Sequence, residues 1–560
     1  MTAHLLGRPP RVLLPRRAVT TAARRVLTGS ALVVLVTGQL LAGAPAAQAS
    51  TAVDAAGRIA SAIRTRMDAS GVPSAAFVVV DGSGAVARGL GDATAGHPAT
   101  ARTPFVLGST SKSFTALAVM QLVDAGRVDL DTPVRHYVPE LQLAAGAAVD
   151  AITVRHLLQQ TSGIPSTAGG QILASAREGT ALDAVRELRG TRLTAAPGTL
   201  WQYSNANYVL AGLVVQRASG IPFAQYVQTK IFDPLGMTRS FTAAGPARAA
   251  GLADGHRYWF GLVRASGPVA LPGLLAAGYL ISTAEDMGRY LRMYLDDGLT
   301  PSGIRVVSAK GLRTMLTPGP TAQLGPWAGG MESRYAMGWF VGGPWQAAVT
   351  FHPGNSPDST AMIALRPQRG MAVATLVGAS HELPLPGNPA VTDRITRAAV
   401  EAALAEPTTT GGSLRTFYLV FDLAALTLLG AGGYGLVRAG QKPRDPHRLR
   451  HRIRESLWAV VNLVLGMAVL SLPLVLGFGW AGAWTWIPDF ALVLLVLGAL
   501  LVTGAATRLL ALIRPGMPLP TLGGGPTPER AIPTPDHPAC AAERFLQASA
   551  AAPQPKEQRR

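Results

Sequence analysis

The sequence predicts an α+β domain, with an antiparallel sheet flanked by helices plus a helical subdomain, followed by three transmembrane helices. Two observations predict this architecture. Strand-like runs broken by turn residues lie near both ends of residues 50–406, and the stretch between them has helical patterns. After residue 406 the composition changes to three apolar stretches, each long enough to cross a bilayer.

The composition narrows the class of protein. The mean hydropathy of +0.25 with 15% charged residues in 560 indicates membrane segments rather than a disordered or fibrous chain. The lone Cys540 excludes an intrachain disulfide. The chain has 50 Lys and Arg against 32 Asp and Glu, and most of this excess lies outside residues 50–406. Basic residues beside apolar stretches are a topology signal at a membrane, and no nucleic-acid-binding motif is present, so we expect no nucleic-acid partner.

Residues 1–49 have the features of an export signal. Six Arg and no acidic residue accompany an apolar stretch at 31–42, and residues 47–49 supply the small side chains of a cleavage site. We therefore expect the mature chain to start at Ser50. An uncleaved N-terminal anchor is the alternative, disfavoured because the apolar stretch is shorter than the roughly 20 residues that a span needs.

The elements of the soluble domain follow in order. Ile59, Ile63 and Met67 recur at helical spacing and predict a helix with one buried face. Apolar runs at 75–80 and 85–90 on either side of a Gly-rich turn predict a hairpin. Near the other end, three strand-like runs precede an alanine-rich helix. The runs are 346–352, 360–365 and 371–377, and the helix is 391–404.

The apolar stretches after the domain predict three transmembrane helices, at 417–437, 457–478 and 486–506. The loop between the first two is rich in Lys and Arg, whereas the connection 479–485 has no charge. The positive-inside rule puts the basic loop in the cytoplasm, the domain outside and the C-terminus inside. The predicted division of the chain is a signal peptide at 1–49, the catalytic domain at 50–406, a linker at 407–416, the membrane region at 417–513 and a disordered cytoplasmic tail at 514–560.

Polar and aromatic residues near the spans also have an interpretation. Trp480, Trp484 and Trp486 cluster where an aromatic belt is expected. Asp422 and Asp489 lie near or within predicted spans, and an intramembrane acid is a functional candidate by default. For Asp422 we favour the alternative that the side chain reaches the interface from the outer end of its span.

A candidate nucleophile lies where a strongly apolar helix begins. This helix is predicted from Ser111 to Gly126, because Gly suits the position after a helix C-terminus. Ser109 precedes it, where free backbone N–H groups favour a developing oxyanion. Lys112 is one turn further on, so both side chains project from one face. A buried Lys can lose its charge and take the proton of a serine hydroxyl, which makes Ser109 a candidate nucleophile.

Ser-x-x-Lys alone arises often by chance, and a Ser at a helix N-terminus followed by Lys is its ordinary reading. Here two more motifs follow it, Tyr203-Ser204-Asn205 and His352-Pro353-Gly354. With these motifs in this order, residues 54–405 resemble the serine β-lactamase and penicillin-binding-protein superfamily, in particular its class C-like β-lactamase-related branch. Further stretches that resemble the family are 105–126, 152–165, 197–205, 234–237, 278–287 and 335–339.

The resemblance implies a β-lactamase/transpeptidase-like fold and roles for three catalytic residues. Ser109 would form an acyl-enzyme. The phenol of Tyr203 would relay protons with Lys112, acting as general base in acylation and then on the water in deacylation.

The resemblance also implies substrate-binding roles for four residues. Asn205 would orient the substrate amide or ester, and His352 would supply a donor or a positive edge beside the scissile group. The oxyanion hole would combine the N–H groups of Ser109 and Asn355. Gly354 would leave backbone free for a substrate lying along the strand.

Other catalytic chemistries lack their motifs. The nearest candidate for a Gly-x-Ser-x-Gly elbow, residues 354–358, has no second Gly. The sequence has no His-Glu-x-x-His motif, Cys/His cluster, phosphate loop or dinucleotide fingerprint. We therefore expect neither a metal nor an organic cofactor.

These observations lead to one hypothesis and one alternative of a different class. The hypothesis is a multi-pass, membrane-anchored serine hydrolase of D-alanyl carboxypeptidase, esterase or β-lactamase type, whose domain faces outward. It would act on an ester, amide or D-amino-acid peptide bond of a small molecule or peptide, cell-wall fragments included, with membrane lipid around its helices. The alternative is a penicillin- or peptidoglycan-binding or sensing module with little turnover.

Overall fold

The computed structural model describes most of the chain from residue 51 to residue 513. The described residues are 51–144, 146, 148–175, 179–266, 271–323, 332–343, 345, 349–381, 391–407, 413–441, 449–476 and 479–513. The predicted signal peptide, the predicted tail and residues 442–448 of the basic loop lie outside them. The same holds for residues 408–412 of the predicted linker.

The soluble domain is built on a nine-stranded antiparallel sheet of order β3-β2-β1-β13-β12-β11-β10-β9-β8. The strands of this sheet are β1 Ser74–Asp81, β2 Gly84–Thr94, β3 His97–Pro98, β8 Thr321–Gln323, β9 Glu332–Tyr335, β10 Phe340–Gly342, β11 Val349–Ser356, β12 Ser359–Arg366 and β13 Met371–Val377. Two small pairs complete the set, β4 Phe105–Val106 with β7 Ile281–Ser282, and β5 His256–Trp259 with β6 Leu262–Ala265. The order confirms the predicted sheet made from both ends of the domain.

Strands from the two ends of the domain meet at the centre of the sheet. β1 lies between β2 and β13, with Ala75 opposite Val377. All eight residues of β1 are buried, which requires cover on both faces of the sheet. The cover comes from helices α1 Ala52–Ser70, α12 Ala284–Leu295 and α14 Val391–Leu404.

A helical subdomain is inserted between β4 and β8. The helix α12 lies in the same part of the chain but packs on the sheet, so it is not counted in the subdomain. Its helices are α2 Ser111–Asp124, α3 Val134–Tyr137, α4 Val154–Leu158, α5 Ser166–Ser175, α6 Ala181–Arg186, α7 Asn205–Ser219, α8 Phe223–Val227, α9 Asp233–Leu235, α10 Ala244–Ala249, α11 Leu275–Gly278 and α13 Ala309–Leu316. In α2, 11 of 14 residues are buried, in agreement with its apolar sequence. The helices α7, α11 and α13 pack around α2.

Three long helices follow the domain, and each is long and apolar enough to cross a membrane. They are α15 Leu414–Gly440, α16 Leu449–Val475 and α18 Pro488–Ile513. The predicted linker ends earlier than expected, because Ser413 caps α15 by accepting a hydrogen bond from the N–H of Thr416. The uncharged connection holds a short helix, α17 Gly479–Trp486, that the sequence analysis did not predict.

The domain packs on one end of this helical bundle through the β5–β6 hairpin. The N–H of Phe260 donates to Oδ2 of Asp489, near the start of α18, at 3.2 Å. The ring of Phe260 stacks on Phe421 of α15 at 6.2 Å, and Tyr258 stacks on Tyr418 at 6.4 Å. Asp489 therefore has a structural role, holding the hairpin against the bundle.

Candidate active site

The candidate nucleophile lies on a tight turn before the buried helix. A 3₁₀ turn, Gly108–Thr110, leads directly into α2, and Gly108 has φ +52°. A Cβ on Gly108 would lie 2.6 Å from the backbone N of Asn355, and a Cβ on Gly354 would lie 2.3 Å from the carbonyl oxygen of Leu107. Both glycines are therefore needed for the backbone of β11 to touch this turn. For Gly354 this reason differs from the expected one, which was room for substrate.

Ser109 and Lys112 are neighbours within the site. Lys112 Nζ lies 3.0 Å from Ser109 Oγ. Two carbonyl groups accept hydrogen bonds from the same nitrogen, Asn205 Oδ1 at 2.8 Å and the backbone oxygen of Ala277 at 2.5 Å. Lys112 is completely buried, whereas Ser109 is half-buried and can be reached from solvent.

Burial changes the chemistry of the lysine. It lowers the pKa of Lys112 well below its usual range, because an ammonium group loses its hydration there. A neutral amine has two N–H bonds and one lone pair. The carbonyl oxygens of Asn205 and Ala277 take the two N–H bonds, so the lone pair is left for the hydroxyl of Ser109. This arrangement suits a general base.

The phenol of Tyr203 hydrogen-bonds to the side chain of Ser109. Burial raises the pKa of Tyr203 above its usual value, and the hydrogen bond with Ser109 only partly offsets the rise. The phenol therefore keeps its proton at neutral pH. Lys112 Nζ lies 4.9 Å from the centre of the Tyr203 ring, so the three groups form one cluster.

Gln160 holds the segment that carries Tyr203. Its Oε1 accepts hydrogen bonds from the N–H of Ser204 at 3.0 Å and from Nδ2 of Asn207 at 2.6 Å. Its backbone oxygen accepts from the N–H of Gln202 at 2.8 Å, and its own φ is +60°. Sequence reasoning did not assign Gln160 a role in the site. The available signal was its position in the stretch 152–165 that resembles the family.

His352 lies inside β11, not at the end of a strand as expected, because β11 continues to Ser356. Burial lowers the pKa of His352 to about 3, so the imidazole is neutral. Nδ1 lies 2.6 Å from the oxygen of Pro353 and donates to it, and Nε2 lies 3.2 Å from the hydroxyl of Tyr335. This geometry favours a packed, neutral His352 over the positive edge expected from the sequence.

Asn355 lies on the part of β11 that has one open edge. β10 pairs with β11 only as far as Phe351, while β12 pairs with it along its length. The side chain of Asn355 hydrogen-bonds to the carboxyl group of Asp393, whose pKa burial raises to about 6. Among the described residues no strand pairs with this edge of β11 beyond Phe351, and this part of β11 lies beside the turn that carries Ser109.

The fold and the serine–lysine pair together define a class, the serine hydrolases with a β-lactamase/transpeptidase-like fold. The chain belongs to the Beta-lactamase family, whose model matches residues 59–395, more than half of the 560 residues.

The chain is also similar to individual known proteins. The chain is 25% identical to "Protein flp" of Staphylococcus aureus (strain COL) over 430 residues, which is 74% of this chain and 82% of that protein. It is 30% identical to "Penicillin-binding protein 4" of Amycolatopsis lactamdurans over 332 residues, 56% of this chain and 82% of that protein. Among solved structures, the octameric penicillin-binding protein homologue from Pyrococcus abyssi matches with a TM-score of 0.55 and 27% identity, over 63% of this chain and 78% of that one.

Proposed function

We propose that this chain is a membrane-anchored, extracytoplasmic serine hydrolase that forms an acyl-enzyme at Ser109. Its substrates are esters, amides or D-amino-acid peptides. The observation that carries the proposal is the position of Lys112, a completely buried side chain whose Nζ lies 3.0 Å from Ser109 Oγ and donates to the carbonyl oxygens of Asn205 and Ala277. Family membership supports hydrolysis as the reaction class.

Acylation follows from these positions. Ser109 Oγ attacks the acyl carbon while Lys112 Nζ takes the hydroxyl proton. The N–H groups of Ser109 and Asn355 receive the developing oxyanion. The bond to the leaving alcohol or amine then breaks, and Tyr203 gives that group its proton and regains one from Lys112. The products of this step are the acyl-enzyme and the free leaving group.

Deacylation uses the same groups in reverse. The Tyr203–Lys112 pair takes a proton from a water molecule that attacks the ester carbon of the acyl-enzyme, and the proton returns to Ser109 Oγ as the acid leaves. The net reaction is hydrolysis. Asn205 both positions Lys112 and lies where it can orient the substrate amide or ester.

The membrane part of the proposal rests on charge and on packing. The domain contacts the first turns of α15 and α18. The basic loop follows the other end of α15, so the domain and the loop lie at opposite ends of that helix. A basic loop stays in the cytoplasm, so the domain is on the outer side and the C-terminus is inside. In this proposal residues 1–49 are a cleaved signal peptide and 514–560 a cytoplasmic tail.

A binding or sensing module with little turnover is the second candidate. The contact of the domain with the bundle through the β5–β6 hairpin favours this candidate, because a conformational signal could pass between them. The two candidates differ in deacylation: the hydrolase releases its acyl group quickly, and the sensor retains it.

The test uses the full chain in detergent with a fluorophosphonate, a penicillin and a D-alanyl ester. We expect an adduct at Ser109 by mass mapping, steady turnover of the ester, and no adduct in Ser109→Ala. Ser111→Ala is the matched control and should still be labelled, because Ser111 only accepts a hydrogen bond from Leu280 N–H. An adduct on Ser111 or Ser113 would refute the assignment, and acylation without turnover would favour the sensor.

A further inference from the structure

The short helix α17 has the composition of a segment at a membrane surface. Three of its eight residues are Trp, and it has no charge. Trp484 is 37% exposed, while Nε1 of Trp480 donates to the backbone oxygen of Leu470 at 3.2 Å. Trp side chains with an apolar body and a satisfied or solvated N–H are typical of the boundary between lipid and water.

This helix packs on α5, which borders the candidate active site. The first turn of α5 is joined to the motif that carries Tyr203. Ser166 Oγ donates to the backbone oxygen of Tyr203 at 2.6 Å, and a Cβ on Gly169 would lie 3.6 Å from Cβ of Asn205. The helix α5 therefore contacts both α17 and the segment that carries Tyr203 and Asn205.

The β5–β6 hairpin fixes the domain at a second place. A Cβ on Gly261 would lie 3.1 Å from Cβ of Tyr418, and Leu262 beside it is 56% exposed. An exposed Leu next to the first turns of a membrane helix is suited to contact with lipid. With two separate contacts, at α17 and at α15, the domain cannot rotate freely about its connection to α15.

The helix α17 packs on α5, and α5 packs on α7, whose first residue is Asn205, so a single helix separates α17 from the start of α7. We propose that the active site opens at the membrane surface and that its substrate class is membrane-anchored: an acyl ester or D-amino-acyl amide carried by a lipid-linked molecule. This inference rests on the proposed hydrolase function and names its substrate. Confinement to the same surface raises the effective concentration of such a substrate.

The distance of the active site from the membrane can be tested with substrates that differ in the length of the spacer between the lipid and the scissile bond. The full chain in phosphatidylcholine–phosphatidylglycerol vesicles is given three D-alanyl esters: a soluble one, one attached directly to a dialkylglycerol, and one on a long ethylene-glycol spacer. We expect the directly attached ester to be cleaved within about threefold of the spaced one, because a tether that can reach the site gives a high effective concentration. Cleavage of the soluble and spaced esters without the direct one would overturn the inference.

A second measurement does not depend on catalysis. In a Cys540→Ser background, Thr167→Cys on α5 and Ile304→Cys carry a fluorescent label, since both side chains are exposed. Position 304 is the control: Ser308, close by in the chain, bonds to Asp124 at the opposite end of α2 from Ser109. Head-group spin-labelled lipid should quench the label at 167 and not at 304, and equal quenching would overturn the inference. If no ester is cleaved, the hydrolase function fails, and this measurement alone decides where the site lies.

Discussion

Replacing Gln160 by Leu tests how the site is held together. The substitution keeps a similar volume and removes the acceptor shared by the N–H of Ser204 and Nδ2 of Asn207. Both donors are buried, Ser204 at 1% and Asn207 at 0% exposure. Each unsatisfied buried donor costs about 1–3 kcal/mol, so the free energy of unfolding should fall by about 2–6 kcal/mol. The free energy of unfolding of a typical domain is about 5–15 kcal/mol, so the variant should still fold at low temperature.

The kinetic effect of Gln160→Leu should act through Tyr203. When Ser204 loses its anchor, the phenol is no longer held at Ser109, and lost acid–base help costs about a hundredfold in acylation. The assay is the fluorophosphonate acylation rate of the full chain below its unfolding transition, corrected for the folded fraction. Gln142→Leu is the matched control, because that Gln only accepts hydrogen bonds from Arg189 at the surface. Wild-type acylation in the folded Gln160→Leu protein would refute the reasoning.

Three more predictions follow from the site and the chain. Acylation should slow as the pH falls through the lowered pKa of Lys112, since the neutral amine is the base, and Lys112→Arg should abolish it at every pH tested by stopped-flow. Gly354→Ala should lower the melting temperature sharply through its clash with Leu107, whereas Gly57→Ala, with open space, should not; equal shifts would contradict the packing argument. Single cysteines in 480–485 should react with an impermeant thiol reagent on intact cells and those in 442–454 should not; the reverse would overturn the topology.

Much of the fold could be predicted because local patterns carry it. The strand 371–377 and the helix 391–404 match the predicted bounds, since turn residues or a change of periodicity end them. The short strands β8 and β10, of three residues each, have no periodicity of their own and depend on their neighbours for pairing. The helix α17 was missed because eight residues between two spans carry too little pattern.

In the candidate site, the identities of the residues could be predicted from the sequence, whereas their protonation and their supporting contacts could not. Ser109, Lys112, Tyr203 and Asn205 could be named from motif spacing, and the structure brings all four together. Their protonation could not be read from the sequence, because it depends on burial and on which carbonyl oxygens lie nearby. The partners of His352, and the support that Gln160 gives, likewise come from residues distant in the chain.

The pairing of β1 with β13 also sets the order in which the domain can form. Ala75 and Val377 face each other across about 300 residues of chain, so synthesis of nearly the whole domain precedes this contact. Contacts of such long sequence separation form slowly, because closing the loop costs entropy before any contact repays it. Until residue 377 is available to pair, β1 is an apolar strand with one unpaired edge, which is a site where chains can aggregate.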